Sequence, residues 1–540
     1  MTRIPARFVV PAIAAYMVAM MLVAVPVNSD EAVMYHPLAC SQYVNAPRGD
    51  FLLPCDGRTS LNLFGVTVPR AYWYIGSLSS YIYWPFFELH PAMATQRLLG
   101  AIFLVGIVWV STRLEPTHVL SVLVIIGLSF PLVYQLVADT GPVRYGLLAM
   151  LLTPLMTAAI CRAQSARRAW LLNAFLAVLL FLAVEDKPFF LYFMPSLAAL
   201  AIAYCPGERP LPSQVQYLLS RTWLSIAVFG VLTALFLLGA RTGDGSTYFQ
   251  ALASRASEQS QNLASAAVVM ASYLTNFEKF TSMVYPDRQF RLLNVSLSLL
   301  VWLLGSWFVS RAWTERPAVR PRLAWTAVAL VLSMAALLAA RNAWTGHHFV
   351  YSLVIALLLL CQGVALVRPG RGAFLVVCGL VTVVLASELP LLRADARWSR
   401  ERYEVFDYLE RPDVARDHVI VHRSDGTYYL ASLYGHSDQL TVRINDLGEE
   451  AAVRLIRLSN ETGRRLLFVC RVADCDVTSL SEEFFDQVAF EAAPLETTDW
   501  KVFVETTRSA DLTARQDMRD TAREGWSVAA SFIARPARTQ

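Results

Sequence analysis

Eleven stretches of the chain, at roughly 8–27, 93–112, 119–137, 143–161, 169–185, 188–204, 222–239, 291–309, 323–340, 349–366 and 372–389, are apolar over about the length a helix needs to cross a bilayer. Few folds are open to such a chain, because lipid offers the backbone no hydrogen bonds and each stretch must satisfy its own as a helix. The first, Phe8–Val27, is uncharged over 20 residues and follows Arg3 and Arg7. Ala24-Val25-Pro26 makes a poor signal-peptide cleavage site, so this stretch is read as span one. Eleven crossings put the N-terminus inside and everything after residue 390 outside. The inner loops then hold Arg113, Arg162, Arg167, Arg168, Arg209, Arg221, Arg311, Arg316, Arg320, Arg322, Arg368 and Arg371 against Glu115, Glu208 and Glu315, an asymmetry of the kind that sets orientation. The pair 169–185 and 188–204 is interrupted at Glu185-Asp186-Lys187-Pro188, which leaves a broken or re-entrant arrangement open.

Hydrophobic residues make up 56% of the 540 and charged residues only 16%, which excludes an ordinary soluble protein and points to one polytopic membrane protein with a soluble appendage. The net charge of +4 comes from basic residues in short loops; it speaks to topology and not to nucleic acid. The expected organisation is a transmembrane domain over 1–389, with long outer loops at 28–92 and 240–290, followed by a soluble domain over 390–540. In the first loop the aromatic run at 71–91 suits helices lying at the headgroup level, or simple anchoring. The second reads as one or two surface helices ending at Pro286. In the soluble domain, 418–422, 440–444, 465–472 and 500–506 read as strands, and 401–409, 446–459 and 479–487 as helices, which gives an α/β layer domain. The tail after Thr507 is polar and is expected to be ordered only in part.

Cys40 and Cys55 fall in the first outer loop and Cys470 and Cys475 in the outer domain, so each pair could close a disulfide in an oxidising compartment. No CxxC, HExxH or comparable Cys/His spacing marks a zinc site.

On this topology the unusual polar residues gather on the outer face. Asp30 and Glu31 follow span one; Asp139 follows span three, with Arg144 one turn into span four. Glu185, Asp186 and Lys187 join spans five and six, and Arg341, His347 and His348 join spans nine and ten, beside Trp344. A carboxylate at the membrane surface can face water and a lipid headgroup together. It can take the proton of an acceptor hydroxyl that attacks an anomeric carbon. The leaving phosphate needs cations, for which Lys187, Arg144 and Arg341 are candidates, with His347 or His348 as hydrogen-bonding partners. Each has a plainer role open to it: Asp30 and Glu31 can solvate a span end, Asp139 can serve the turn Asp-Thr-Gly-Pro, and Lys187 and the arginines can snorkel.

NSDEAVMYH at 28–36, YIGSLSSYIYWPF at 74–86, TQRLLGAIFLVG at 95–106, ADTGP at 138–142, EDKPFFLYFMP at 185–195 and GHHFVY at 346–351 come in an order and on a membrane side that resemble the GT-C superfamily of polytopic glycosyltransferases. The likeness is nearest to bacterial relatives of the protein O-mannosyltransferases and lipid A aminoarabinose transferases. It implies a GT-C-like α-helical membrane protein of about 11 transmembrane helices with a C-terminal periplasmic α/β domain. It also implies an inverting transfer of sugar from a polyprenyl-phosphate donor to a cell-envelope polysaccharide, glycolipid or protein. The resemblance casts Asp30, with Glu31 as its alternative, as the catalytic carboxylate, Asp139 as support for the acceptor or a divalent cation such as Mg or Mn, and Lys187 and Arg341 as donor-phosphate ligands; Asp186 stands beside them as a substrate contact. If a metal is bound, Asp30 and Asp139 are its candidate ligands. The expected setting is a bacterial cytoplasmic (inner) membrane, with the active site and C-terminal domain in the periplasm, where the latter could meet another envelope protein. The chain departs from the family in two ways: it lacks the tight acidic-aromatic pattern of the eukaryotic mannosyltransferases and any WWDYG-like stretch, so neither mannose nor asparagine glycosylation is implied. A polyprenyl-diphosphate glycan ligase or polymerase, a lipid or solute transporter, and a non-catalytic envelope assembly protein are the other readings.

Overall fold

The computed structural model describes residues 59–63, 66–70, 143–205, 211–241, 291–339, 346–367, 411–423, 439–443, 449–471, 488–497, 500–508 and 531–533, together with single residues and short runs between 100 and 114 and between 401 and 484. They divide into two compact units, one within Thr59–Arg393 and one within Ala394–Gln540.

The first unit is a helical bundle. Its helices are α1 Arg144–Arg162, α2 Ala166–Asp186, α3 Met194–Ala203, α4 Leu211–Gly239, α5 Arg291–Glu315, α6 Arg320–Ala339 and α7 Gly346–Val367. Among the described residues four helices are long and apolar enough to cross a membrane, and Pro188–Ala203 and Val350–Gly363 are shorter apolar segments. Short connections make neighbours antiparallel: only residues 163–165 separate α1 from α2, and a 3₁₀ turn at Pro317–Val319 joins α5 to α6. The bundle therefore has two chemically distinct ends. One carries the start of α1, the end of α2 and the start of α7. The other carries Arg162, Arg167, Arg168, Arg311, Arg316, Arg320 and Arg322.

The break between α2 and α3 follows from Pro188. A proline has no N–H to donate and pushes the residue before it out of the helical region. Lys187 accordingly has φ −149° and ψ 98°, and the chain re-enters as a 3₁₀ helix, Pro188–Phe193, before α3. Span five is thus a full-length helix, and the segment after it is a short composite one.

Side chains from neighbouring helices satisfy the helix ends. At the C-terminus of α1, Arg221 donates to the carbonyls of Ile160 (3.2 Å) and Ala163 (2.8 Å), and the Tyr217 hydroxyl donates to that of Cys161 (2.9 Å). One turn further in, Asn173 and Ser225 tie α2 to α4, with Ser225 Oγ donating to Asn173 Oδ1 at 2.6 Å. Helix α7 is apolar on every side and buried almost throughout from Val350 to Gly363, the pattern of a helix enclosed by others. It runs parallel to α5, and small residues allow the approach: a Cβ on Gly363 would lie 2.8 Å from the backbone nitrogen of Val309.

A small sheet closes the end opposite the arginines. Strands β1 Thr59–Leu63 and β2 Val66–Arg70 form an antiparallel hairpin, and β3 Ala240–Arg241, the direct continuation of α4, pairs antiparallel with β1. Within the two long loops read from the sequence at 28–92 and 240–290, residues 59–63 and 240–241 therefore meet at one bundle end. The aromatic run at 71–91 and the surface helices expected before Pro286 lie outside the described residues.

The second unit holds a six-stranded sheet ordered β7-β8-β6-β4-β5-β9, from β4 His418–His422, β5 Gln439–Arg443, β6 Arg465–Arg471, β7 Val488–Ala492, β8 Trp500–Arg508 and β9 Ser531–Ile533. Strands β5, β4 and β6 are parallel, and the outer three are antiparallel to their neighbours. Val419–His422 and Leu466–Cys470 are buried on both faces, as central parallel strands are. Helix α8 Pro412–Asp417 leads into β4, and α9 Glu449–Thr462 is the crossover from β5 to β6. Ala452, Leu455 and Ile456 of α9 pack into a core with Val421, Leu440, Phe468, Phe484 and Phe503. Helix α9 stops at Gly463, whose φ of 66° suits a residue without a side chain. Beside it Arg508 donates to both carboxylate oxygens of the buried Glu505 (2.7 and 2.6 Å) and to Ser459 and Asn460 (2.6 Å each). Cys470 is disulfide-bonded, to a partner outside the described residues. Strand β9 lies in the tail that reads as polar, and it completes the sheet against β5.

Candidate functional site

Among the described residues four charged side chains are buried at the bundle end away from the arginine-rich one: Arg144 is 0% exposed, Glu185 0%, Asp186 2% and Lys187 1%. The α1–α2 hairpin brings them to one end, because Arg144 opens the first helix while Glu185 and Asp186 close the second. Among the described residues these are two cations and two carboxylates, equal in formal charge. A charge removed from water costs several kcal/mol unless it is paired, so opposite charges gathered at one bundle end lower the cost of burying each. None of the four is without a partner.

Aromatic rings wall this cluster. The guanidinium of Arg144 lies 6.0 Å from the ring centroid of Phe103, which meets Tyr145 edge-on at 5.3 Å. Directly after Lys187, the 3₁₀ helix turns Phe190 and Phe193 inward and leaves Tyr192 exposed. Both buried rings pack on Tyr351, at 5.4 and 4.9 Å between centroids. Tyr351 in turn covers Gly146, where a Cβ would stand 2.5 Å from the phenolic oxygen. One wall is thereby built from α1, the turn after α2 and the first turns of α7.

Of the residues named from the sequence, the structure brings Arg144, Glu185, Asp186 and Lys187 to one bundle end. His347 and His348 sit in the first turn of α7, in the turn before Tyr351. Asp30, Glu31, Asp139, Arg341 and Trp344 lie outside the described residues, as do Cys40, Cys55 and Cys475. Tyr351, Phe190, Phe193 and Gly146 were not singled out as candidates. The aromatic-rich PFFLYF and GHHFVY segments carried the signal, but only their packing gives it meaning.

Among the described residues no group of three His, Cys, Asp or Glu side chains is arranged to hold a metal ion. The carboxylates named for a divalent cation, Asp30 and Asp139, lie outside them.

Fold and site together define a helical membrane protein with buried cations and carboxylates at one end of the bundle, arginines at the other, and a separate α/β unit. No family model matches the chain, and no curated protein matches it. Among solved structures it is similar to the crystal structure of an oligosaccharyltransferase from Archaeoglobus fulgidus in complex with Zn and sulfate, with 12% identity over 86% of this chain and 68% of that one, at a TM-score of 0.41. At that level the likeness decides neither fold nor chemistry.

Proposed function

We propose that the chain is an inverting glycosyltransferase that moves a sugar from a polyprenyl-phosphate donor to a cell-envelope polysaccharide, glycolipid or protein. The observation that carries this reading is the buried cluster Arg144, Glu185, Asp186 and Lys187, set at the same bundle end as the β1-β2-β3 sheet. Low-dielectric surroundings strengthen cation–phosphate attraction, so Lys187 and Arg144 suit the phosphate of a lipid-borne donor. Arg341, His347 and His348 join them from the neighbouring span ends. Asp30, or Glu31 beside it, takes the acceptor proton, and Asp139 and Asp186 orient the acceptor. The positive-inside rule places the arginine end in the cytoplasm, and the cluster and C-terminal unit then face the periplasm of a bacterial inner membrane, with eleven spans in all.

Purified protein in lipid, given a panel of polyprenyl-phosphate sugars and envelope acceptors, tests the proposal. Turnover by the wild type with one donor, lost in Asp30→Asn while donor binding persists, supports it. Turnover unchanged in Asp30→Asn removes Asp30 as the base. Donor binding unchanged in Lys187→Gln removes the cluster as the phosphate site.

A further inference from the structure

At the arginine end, three exposed guanidinium groups stand within a single hairpin. Arg162 closes α1, Arg167 and Arg168 open α2, and no acidic residue occurs between 160 and 170. Among the described residues none of the three side chains has a partner, whereas four of the other arginines of this end are engaged and Arg316, outside the hairpin, is exposed. Arg221 and Arg322 turn onto the main-chain carbonyls of Ile160, Ala163 and Leu114, Arg311 pairs with Glu315, and Arg320 donates to the Trp313 carbonyl. Three unengaged cations so close together repel one another, and an anion of comparable charge offsets that repulsion.

Flanking side chains say what kind of anion. Trp170 on α2 and Trp223 on α4 are 58% and 63% exposed, and both lie just to the arginine side of the Asn173–Ser225 contact. Exposed Leu171, Phe175 and Val178 continue the apolar surface of α2 away from the arginines. Exposed tryptophans bordering an apolar helix face mark the level of the headgroups, so the three cations stand where lipid phosphates do. An acidic protein or a nucleic acid would match the arginines and leave the tryptophans in water.

We propose that the Arg162–Arg168 hairpin, bordered by Trp170 and Trp223, is a docking surface for acidic phospholipid headgroups. It selects negatively charged lipid from a mixed leaflet and fixes how deeply the bundle sits. The inference is independent of the transferase reading.

The full chain in nanodiscs of mixed phosphatidylcholine and phosphatidylglycerol, released and weighed by native mass spectrometry, tests it. Phosphatidylglycerol should be retained above its share of the disc. Arg167→Gln with Arg168→Gln should reduce that enrichment about fivefold per arginine removed. The double lysine variant should keep most of the enrichment, and Arg411→Gln, in the other unit, should change nothing. For the wild type, added salt should weaken retention, a readout that needs no variant. Retention of the two lipids in their disc proportions, unchanged enrichment in the glutamine variant, or retention indifferent to salt would each overturn the proposal.

Discussion

Gly146 of α1 and Tyr351 of α7 meet so closely that any side chain at 146 would occupy the space of the phenol, with a Cβ 2.5 Å from its oxygen and 2.6 Å from a ring carbon. The ring cannot retreat freely, because Phe190 and Phe193 hold its other side. Gly146→Ala is therefore expected to cost about 1–3 kcal/mol by overpacking. Tyr351→Ala in the same chain should recover part of that loss, and a double-mutant cycle of thermal unfolding midpoints in detergent measures the coupling. Additive losses would mean that the two residues do not bear on each other.

The buried charges make a sharper case. Lys187→Met removes one of the two described cations and leaves both described carboxylates out of water, a change expected to cost about 3–5 kcal/mol. Adding Asp186→Asn to Lys187→Met removes one of those carboxylates and should bring the unfolding midpoint part of the way back. A double variant no more stable than Lys187→Met alone would show that the opposite charges do not lower the cost of burying each other. The same variants assayed for donor binding separate a structural lysine from a phosphate ligand: restored stability without restored binding assigns Lys187 to the phosphate.

Two glycines on the α5–α7 seam should respond differently to the same substitution. At Gly305 a Cβ meets the tip of the Leu360 side chain, which has rotamers to yield, whereas at Gly363 it meets the nitrogen and Cα of Val309 at 2.8 and 2.9 Å, which do not. Gly363→Ala is accordingly expected to lower the yield of folded protein strongly and Gly305→Ala only mildly, as size-exclusion profiles of the two variants would show. Equal effects would mean that the helices slide apart together instead of yielding locally.

Much of this architecture is legible in the chain because its signals are local. The run HVIVH is β-branched and apolar on both faces, and it is β4. Pro188 forbids a continuous helix, and the chain breaks there. What escaped detection is non-local. β1 and β2 are five residues each, with Pro69 inside the second, and β1's partner β3 is two residues at the far end of α4; nothing within either segment announces the pairing. The cluster was half visible. Glu185-Asp186-Lys187 stands out as polar residues at a span end, but their complete burial and the ring of Tyr351 over Gly146 depend on contacts between helices that sequence periodicity does not encode. The strand β9, in a polar tail, takes its order from the β5 edge it pairs with.

The second unit carries a pH dependence of definite sign. His422, at the end of β4, is fully enclosed, and burial holds its imidazole down to about 3, from an ordinary value of 6.5. Burial also lowers the half-buried His418 at the start of the strand. Between pH 6.5 and about 3 the unfolded chain binds a proton at His422 that the folded unit refuses, so acid draws the equilibrium toward unfolding. The stability is present in full above pH 6.5 and is lost at about 1.4 kcal/mol per pH unit below it. His422→Leu removes the titrating group while keeping the site filled and apolar. Compared with the wild type by thermal unfolding at pH 7.5, 6 and 5, the variant should gain relative stability at each step down in pH, about 2 kcal/mol by pH 5. A stability difference between the two proteins that stays constant from pH 7.5 to 5 would show that His422 takes up its proton inside the folded unit.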